Sequence, residues 1–192
     1  MVLYVKYYLK GVYDLRNLFL FFILTCLFLT AGCVKNDNLL PDDSIKEQTL
    51  KIGVIGQSPA VTETNIVFTE TTFEKLSNAT DTDFVALFIM PEKLEEASHG
   101  QYAKLYKSVK YPVFFIGSTK SYYPFTEETL TYSNAPSTHS GMYATGMIYE
   151  DGQIKIFEYG LKNGEKTEEN LKGLYTNIFK TIINEFVLRK TN

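Results

Sequence analysis

The chain has 192 residues, a formal net charge of −3, two cysteines and two histidines. That length is enough for one domain that buries a real core. The acidic balance argues against polyanionic partners such as nucleic acid, which need a basic face, and two lone histidines do not make a metal cluster.

The first informative element is Leu18–Leu29, LFLFFILTCLFL, which carries no charge and no turn former. A bilayer needs about 20 apolar residues in a helix, so this run is too short to span and has the length of a signal-peptide core. Lys6, Lys10 and Arg16 precede it against a single acid, Asp14, and the small residues Thr30, Ala31 and Gly32 follow it. A basic start, an apolar core and a small-residue cleavage site define a secretory signal. Leu29-Thr30-Ala31-Gly32-Cys33 resembles the lipobox of bacterial lipoproteins. The resemblance covers only this stretch. It implies that the Cys33 thiol receives a diacylglycerol and that cleavage after Gly32 makes Cys33 the mature N-terminus. It also implies an expected location on the extracytoplasmic face of the cell membrane, held by the lipid on Cys33. Two acyl chains, at about 0.8 kcal/mol per buried CH₂, anchor stably where one chain does not.

Processing at that site removes residues 1–32 with three bases and one acid, which takes the net charge from −3 to −5 and leaves 160 residues. Cys26 leaves with the signal and Cys33 is acylated, so the mature domain is expected to hold no free thiol and no disulfide.

Residues 33–48 read as a polar linker, with turn formers such as Pro41-Asp42-Asp43-Ser44, and residues 49–192 as a single α/β domain. Leu50–Gly56 is a short β-rich run and Ile66–Glu70 a second, followed by one helical turn at Phe73–Leu76. Asp83–Met90 (DFVALFIM) is nearly continuous in apolar character, as in a strand buried on both faces of a parallel sheet. Pro91 opens a helix with Glu92, Glu95 and Glu96 near its N-terminus. Its apolar stripe runs through Leu94, Ala97, Leu105 and Val109, and His99-Gly100 is the point at which it would break in two. Val113–Gly117 is another buried strand. Ser118–Ser140 lacks periodicity and reads as a long polar loop, of the kind found mainly where loops are functional or mobile. Tyr143–Glu150 and Gln153–Tyr159 flank Asp151-Gly152, the signal of a type I′ hairpin, with Thr145, Met147 and Tyr149 on one face. The last element is an amphipathic helix capped by Thr167, with Leu171, Leu174, Tyr175, Ile178, Phe179, Ile182, Ile183 and Phe186 along one side.

Interleaved strands and helices predict a mostly parallel, three-layer α/β sheet, Rossmann-like or flavodoxin-like, with a C-terminal β-hairpin and helix; a thioredoxin-like fold is the alternative. In such sheets ligands bind beyond the carboxyl ends of the strands. Those ends offer Gln57 and Ser58, Thr71 and Thr72, Pro91 and Glu92, and Ser118, Thr119 and Lys120. Gln57, Ser58, Glu92, Ser118 and Lys120 are therefore the candidate ligand-binding residues, and Tyr122 and Tyr123 of the long loop are candidates for a recognition surface.

No catalytic set is expected. Gly53–Ser58 lacks the G-x-G-x-x-G spacing of dinucleotide sites, Gly117-Ser118-Thr119-Lys120 is not a phosphate loop, and no G-x-S-x-G elbow is present. His139 beside Ser140 does not make a catalytic pair without an orienting acid, and both histidines are expected at the surface. Neither Asp81 and Asp83 nor Glu127 and Glu128 have the spacing of a calcium loop. No metal and no cofactor is expected. The body resembles small uncharacterised lipoproteins of Gram-positive bacteria, which implies a location and no chemistry. The reading is a membrane-anchored binding or accessory module for a protein or small-molecule partner. A degenerate hydrolase or thioredoxin-like enzyme and a structural spacer are the alternatives.

Overall fold

A computed structural model describes residues 49–78, 83–138 and 142–188. They belong to one compact unit, Leu40–Asn192. The signal segment, Cys33, the linker, Asp81, His139 and the terminal Arg189 and Lys190 lie outside the described residues.

Six strands form one mixed sheet: β1 (Leu50–Ile55), β2 (Ile66–Glu70), β3 (Ala86–Ile89), β4 (Val113–Ile116), β5 (Met142–Glu150) and β6 (Gln153–Gly160), in the order β2-β1-β3-β4-β5-β6. The first four run parallel, with Ile52 beside Phe68 and Ala86, and Phe88 beside Phe114. β5 joins β4 antiparallel, and β6 returns along β5. The order of the parallel strands, 2-1-3-4, coincides with the flavodoxin-like one. β3 and β4 are buried along their whole length, and β1 everywhere except Lys51, which is half-buried. Strands covered on both faces need apolar side chains pointing both ways, and this is why the sequence shows runs there instead of alternation. The hairpin turns on Asp151 and Gly152 at φ 50° and 76°, the pair of positive values that a type I′ turn requires.

One face of the sheet carries four short helices: α1 (Phe73–Asn78), α2 (Leu94–Ala97), α3 (Ala103–Ser108) and α4 (Tyr123–Thr126). They set Phe73, Leu76, Leu94, Ala97, Tyr106 and Phe125 against Ile55, Leu87, Ile89, Val113, Phe115 and Met147. The other face carries α5 (Glu168–Ile182), whose Leu174, Tyr175, Ile178, Phe179 and Ile182 pack on Leu50, Ile52, Val54, Phe88, Phe114 and Ile116. Phe88 and Phe179 stack with centroids 6.2 Å apart at 5°. Burying each such side chain contributes about 1.5–3 kcal/mol, so these two layers fix where α5 lies. Thr167 caps α5 by accepting the Asn170 N–H at 3.2 Å, and a π-helical turn, Ile183–Val187, extends it.

Three sequence expectations need correction. The strand expected over Asp83–Met90 is regular over Ala86–Ile89, with the N–H groups of Val85 and Met90 still donating to β1 at its two ends. The helix expected after Pro91 is four pieces: a 3-10 turn at Pro91–Lys93, α2, a second 3-10 turn at Gly100–Tyr102, and α3. Ser98 explains the break, because its hydroxyl donates back to the Glu95 carbonyl at 2.7 Å and accepts the Tyr132 N–H at 2.7 Å. Gly100 leaves room for the Glu128 backbone, which passes where a Cβ would stand. The stretch expected as a long loop from Ser118 to Ser140 contains α4 and is buttressed over its described part. The Phe125 ring stacks on Phe115 at 3.5 Å, and the Ser133 N–H and hydroxyl donate to Glu95 at 2.9 and 3.0 Å.

Candidate functional site: a cleft where the strand order reverses

From β1 the chain moves outward to β2, then returns past β1 to β3 and β4. The connection after β1 therefore leaves on the face opposite to the connections after β2 and β3, and the loops after β1 and β3 part company. This reversal is where an open α/β sheet has a crevice. Here the loop from Gln57 to Glu63, the turn Met90–Glu92, Tyr143 at the start of β5, and one side of α5 enclose a cleft of about 570 Å³. That volume lies in the range of small-molecule sites.

The cleft floor is apolar, formed by Met90, Ile116, Leu171 and Tyr175. One interaction fixes its mouth. The Gln57 backbone N–H donates to Glu92 Oε1 at 2.5 Å, which ties the end of β1 to the turn after β3. Gly56 makes this approach feasible. Its φ is +110°, and a Cβ there would stand 2.5 Å from Glu92 Oε1 and 2.7 Å from the Met90 Cβ. The neighbouring Lys93 makes its ion pair with Glu96, at 2.8 Å, and not with Glu92. On the far side, Glu63 accepts the Thr62 N–H at 3.1 Å and the Thr176 hydroxyl at 2.8 Å, fastening the loop to α5.

The phenol of Tyr175 is buried, and burial pushes its pKa up, with Tyr143 and Glu92 adding to the effect. It stays protonated and keeps a donor at the cleft floor. The Lys166 ammonium sits 5.5 Å from the centre of the Tyr143 ring. Lys172 lies one turn beyond Glu168 on the same helix, in the Glu-before-Lys order that is favourable at this spacing.

Of the candidate ligand-binding residues, Gln57, Ser58 and Glu92 line this one cleft, and Ser118 and Lys120 do not. The departure of the last two has a clear cause. Ser118 is fully buried; its hydroxyl accepts the Lys120 N–H at 3.1 Å and donates to the Lys120 carbonyl at 2.7 Å. The Lys120 ammonium turns inward and donates to the carbonyls of Tyr132, Ser133 and Ala135. Both residues are spent on holding the 118–138 segment. Thr72 likewise caps α1 by accepting the Lys75 N–H at 3.2 Å.

His99 is exposed between α2 and α3, away from the cleft. Asp83 pairs with Lys51 at 3.2 Å, and Glu127 and Glu128 are exposed. Among the described residues no group of three or more His, Cys, Asp or Glu could hold a metal ion, and no helix is long and apolar enough to cross a membrane. Tyr122 and Tyr123 stack at 4.3 Å on the α1–α4 side, with Tyr123 half exposed.

Sequence reasoning missed Glu63, Tyr143, Lys166, Lys172 and Tyr175. Only Tyr175 left a signal, as an aromatic on the apolar stripe of α5. The others reach the cleft through contacts between distant parts of the chain. The chain matches no protein-family model, no curated protein and no solved structure.

Proposed function

We propose that this chain is a lipoprotein held at the extracytoplasmic face of the cell membrane through lipid on Cys33, and that its α/β domain is a non-catalytic binding module for a small molecule. The observation that supports binding is the cleft at the strand reversal. It has ligand-sized volume, an apolar floor that includes Tyr175, and a mouth where the Glu92 carboxylate meets the Gln57 backbone amide. The motif that supports anchoring is Leu29-Thr30-Ala31-Gly32-Cys33.

Such pockets, mostly apolar with a few convergent polar groups, are the usual form of small-ligand sites. Nothing among the described residues at the mouth adds a nucleophile with its base, so recognition is the chemistry the cleft supports. The test is an NMR screen of the isotope-labelled protein against a mixed fragment library. Shift changes clustered on Gln57–Glu63, Met90–Glu92 and Leu171–Tyr175 are expected. Changes scattered over the surface, or centred on Tyr122 and Tyr123, contradict the assignment. Anchoring is tested separately: Cys33→Ser should leave the membrane fraction.

A further inference from the structure

We propose that Glu92 sets the charge selectivity of the cleft, so that it admits a small molecule with an apolar body and a protonated amine and rejects phosphates and carboxylates. This rests on the cleft being the ligand site.

A free backbone N–H at the crevice of a doubly wound sheet would be a donor for an arriving anion, although no helix follows β1 here to add its dipole. In this chain that amide is taken. The Gln57 N–H donates to Glu92 Oε1 at 2.5 Å, and Gly56 has no side chain that would hold the carboxylate off. An arriving phosphate would have to displace a covalently tethered carboxylate and then sit beside its negative charge. Glu92 spends one oxygen on the amide and is exposed at the mouth. Its other oxygen accepts no hydrogen bond among the described residues. A carboxylate with an unspent oxygen is an acceptor for an ammonium group, and a charge-assisted bond of this kind is among the stronger ones.

The aromatic lining agrees in sign. Tyr143 and Tyr175 both border the cleft, and ring faces attract cations. Tyr143 already carries one, the Lys166 ammonium at 5.5 Å. The two lysines at the rim do not make the cleft an anion site, because Lys166 lies over this ring and the lining sets three carboxylates, Glu63, Glu92 and Glu168, against Lys166 and Lys172. Lys166 is thus an internal competitor for the position that a ligand amine would take.

The experiment compares two isosteric probes of opposite charge, 2-phenylethylamine and phenylacetate, with inorganic phosphate as a third, by NMR titration of the full chain. The amine is expected to shift cleft resonances, and the two anions are not. Glu92→Gln keeps an oxygen for the Gln57 N–H and removes the charge, so it should weaken the amine about tenfold or more, the scale of one charge-assisted hydrogen bond. Lys166→Ala should tighten the amine, by relieving competition. Binding of phenylacetate or phosphate in the cleft without the amine overturns the charge assignment, as does amine binding that ignores Glu92→Gln. Binding of neutral fragments alone also overturns it, while leaving the cleft as a ligand site. If no compound of any charge shifts the cleft residues, the binding module itself is refuted.

Discussion

Replacing Gly56 by alanine isolates the geometry on which the cleft mouth depends. Two costs add. At φ +110° an L-residue occupies a sparsely populated backbone region, at about 1–3 kcal/mol. The new Cβ would also stand 2.5 Å from Glu92 Oε1 and 2.7 Å from the Met90 Cβ, and overpacking of this kind costs about 1–3 kcal/mol. A loss of about 3 kcal/mol lowers the melting temperature of a domain this size by about 6–12 °C. The carboxylate share can be separated from the backbone share. Glu92→Ala alone gives up the bond to the Gln57 N–H, at about 1 kcal/mol. In the double variant the Cβ no longer meets Glu92 Oε1, so its cost should fall short of the two single costs by about 1 kcal/mol. Thermal and urea unfolding of all four proteins measure this. A shift under about 2 °C for Gly56→Ala, or single costs that simply add, would refute the tight approach of Glu92 to the end of β1.

Phe88→Ala should be the most damaging core truncation, at about 3–5 kcal/mol by urea unfolding, because its ring meets those of Phe68, Phe114, Tyr175 and Phe179. Lys120→Met leaves the carbonyls of Tyr132, Ser133 and Ala135 without their shared donor. It should cost about 1–3 kcal/mol and speed hydrogen exchange across that segment, while cleft binding stays unchanged. Stability should fall at alkaline pH. Burial pushes the phenol of Tyr159 from the usual 10.0 up to about 12, and burial raises Tyr106 and Tyr175 in the same direction. The folded state therefore holds these protons where the unfolded chain loses them, so the contribution is intact below pH 10 and lost as pH rises toward 12. Unfolding midpoints followed against pH, with tyrosinate absorbance as the second probe, check this; a midpoint that is level from pH 9 to pH 12 contradicts it.

The parts of the fold legible in the sequence are those set by local pattern. LKIGVI and VFFI are runs because both faces of β1 and β4 are covered, α5 shows its period because one side lies on the sheet, and Asp151-Gly152 names its own turn. The pieces that escaped are set by contacts far apart in the chain. The break between α2 and α3 depends on Glu128 passing over Gly100 and on Tyr132 reaching Ser98. Lys120 closes the 118–138 segment onto carbonyls 12 to 15 residues away, a reach without a local signature. The cleft divides in the same way. Gln57, Ser58 and Glu92 follow from where β1 and β3 end, whereas Lys166, Lys172 and Tyr175 reach it only because α5 docks across β1, β3 and β4.

Everything proposed for where this domain works depends on Cys33. The most direct measurement is the intact mass of the N-terminal peptide from protein extracted from membranes. The expected peptide begins at Cys33 and carries diacylglycerol on its sulfur. A peptide that still begins at Met1, with the Cys33 thiol free to alkylate, contradicts both the anchor and the thiol-free working domain.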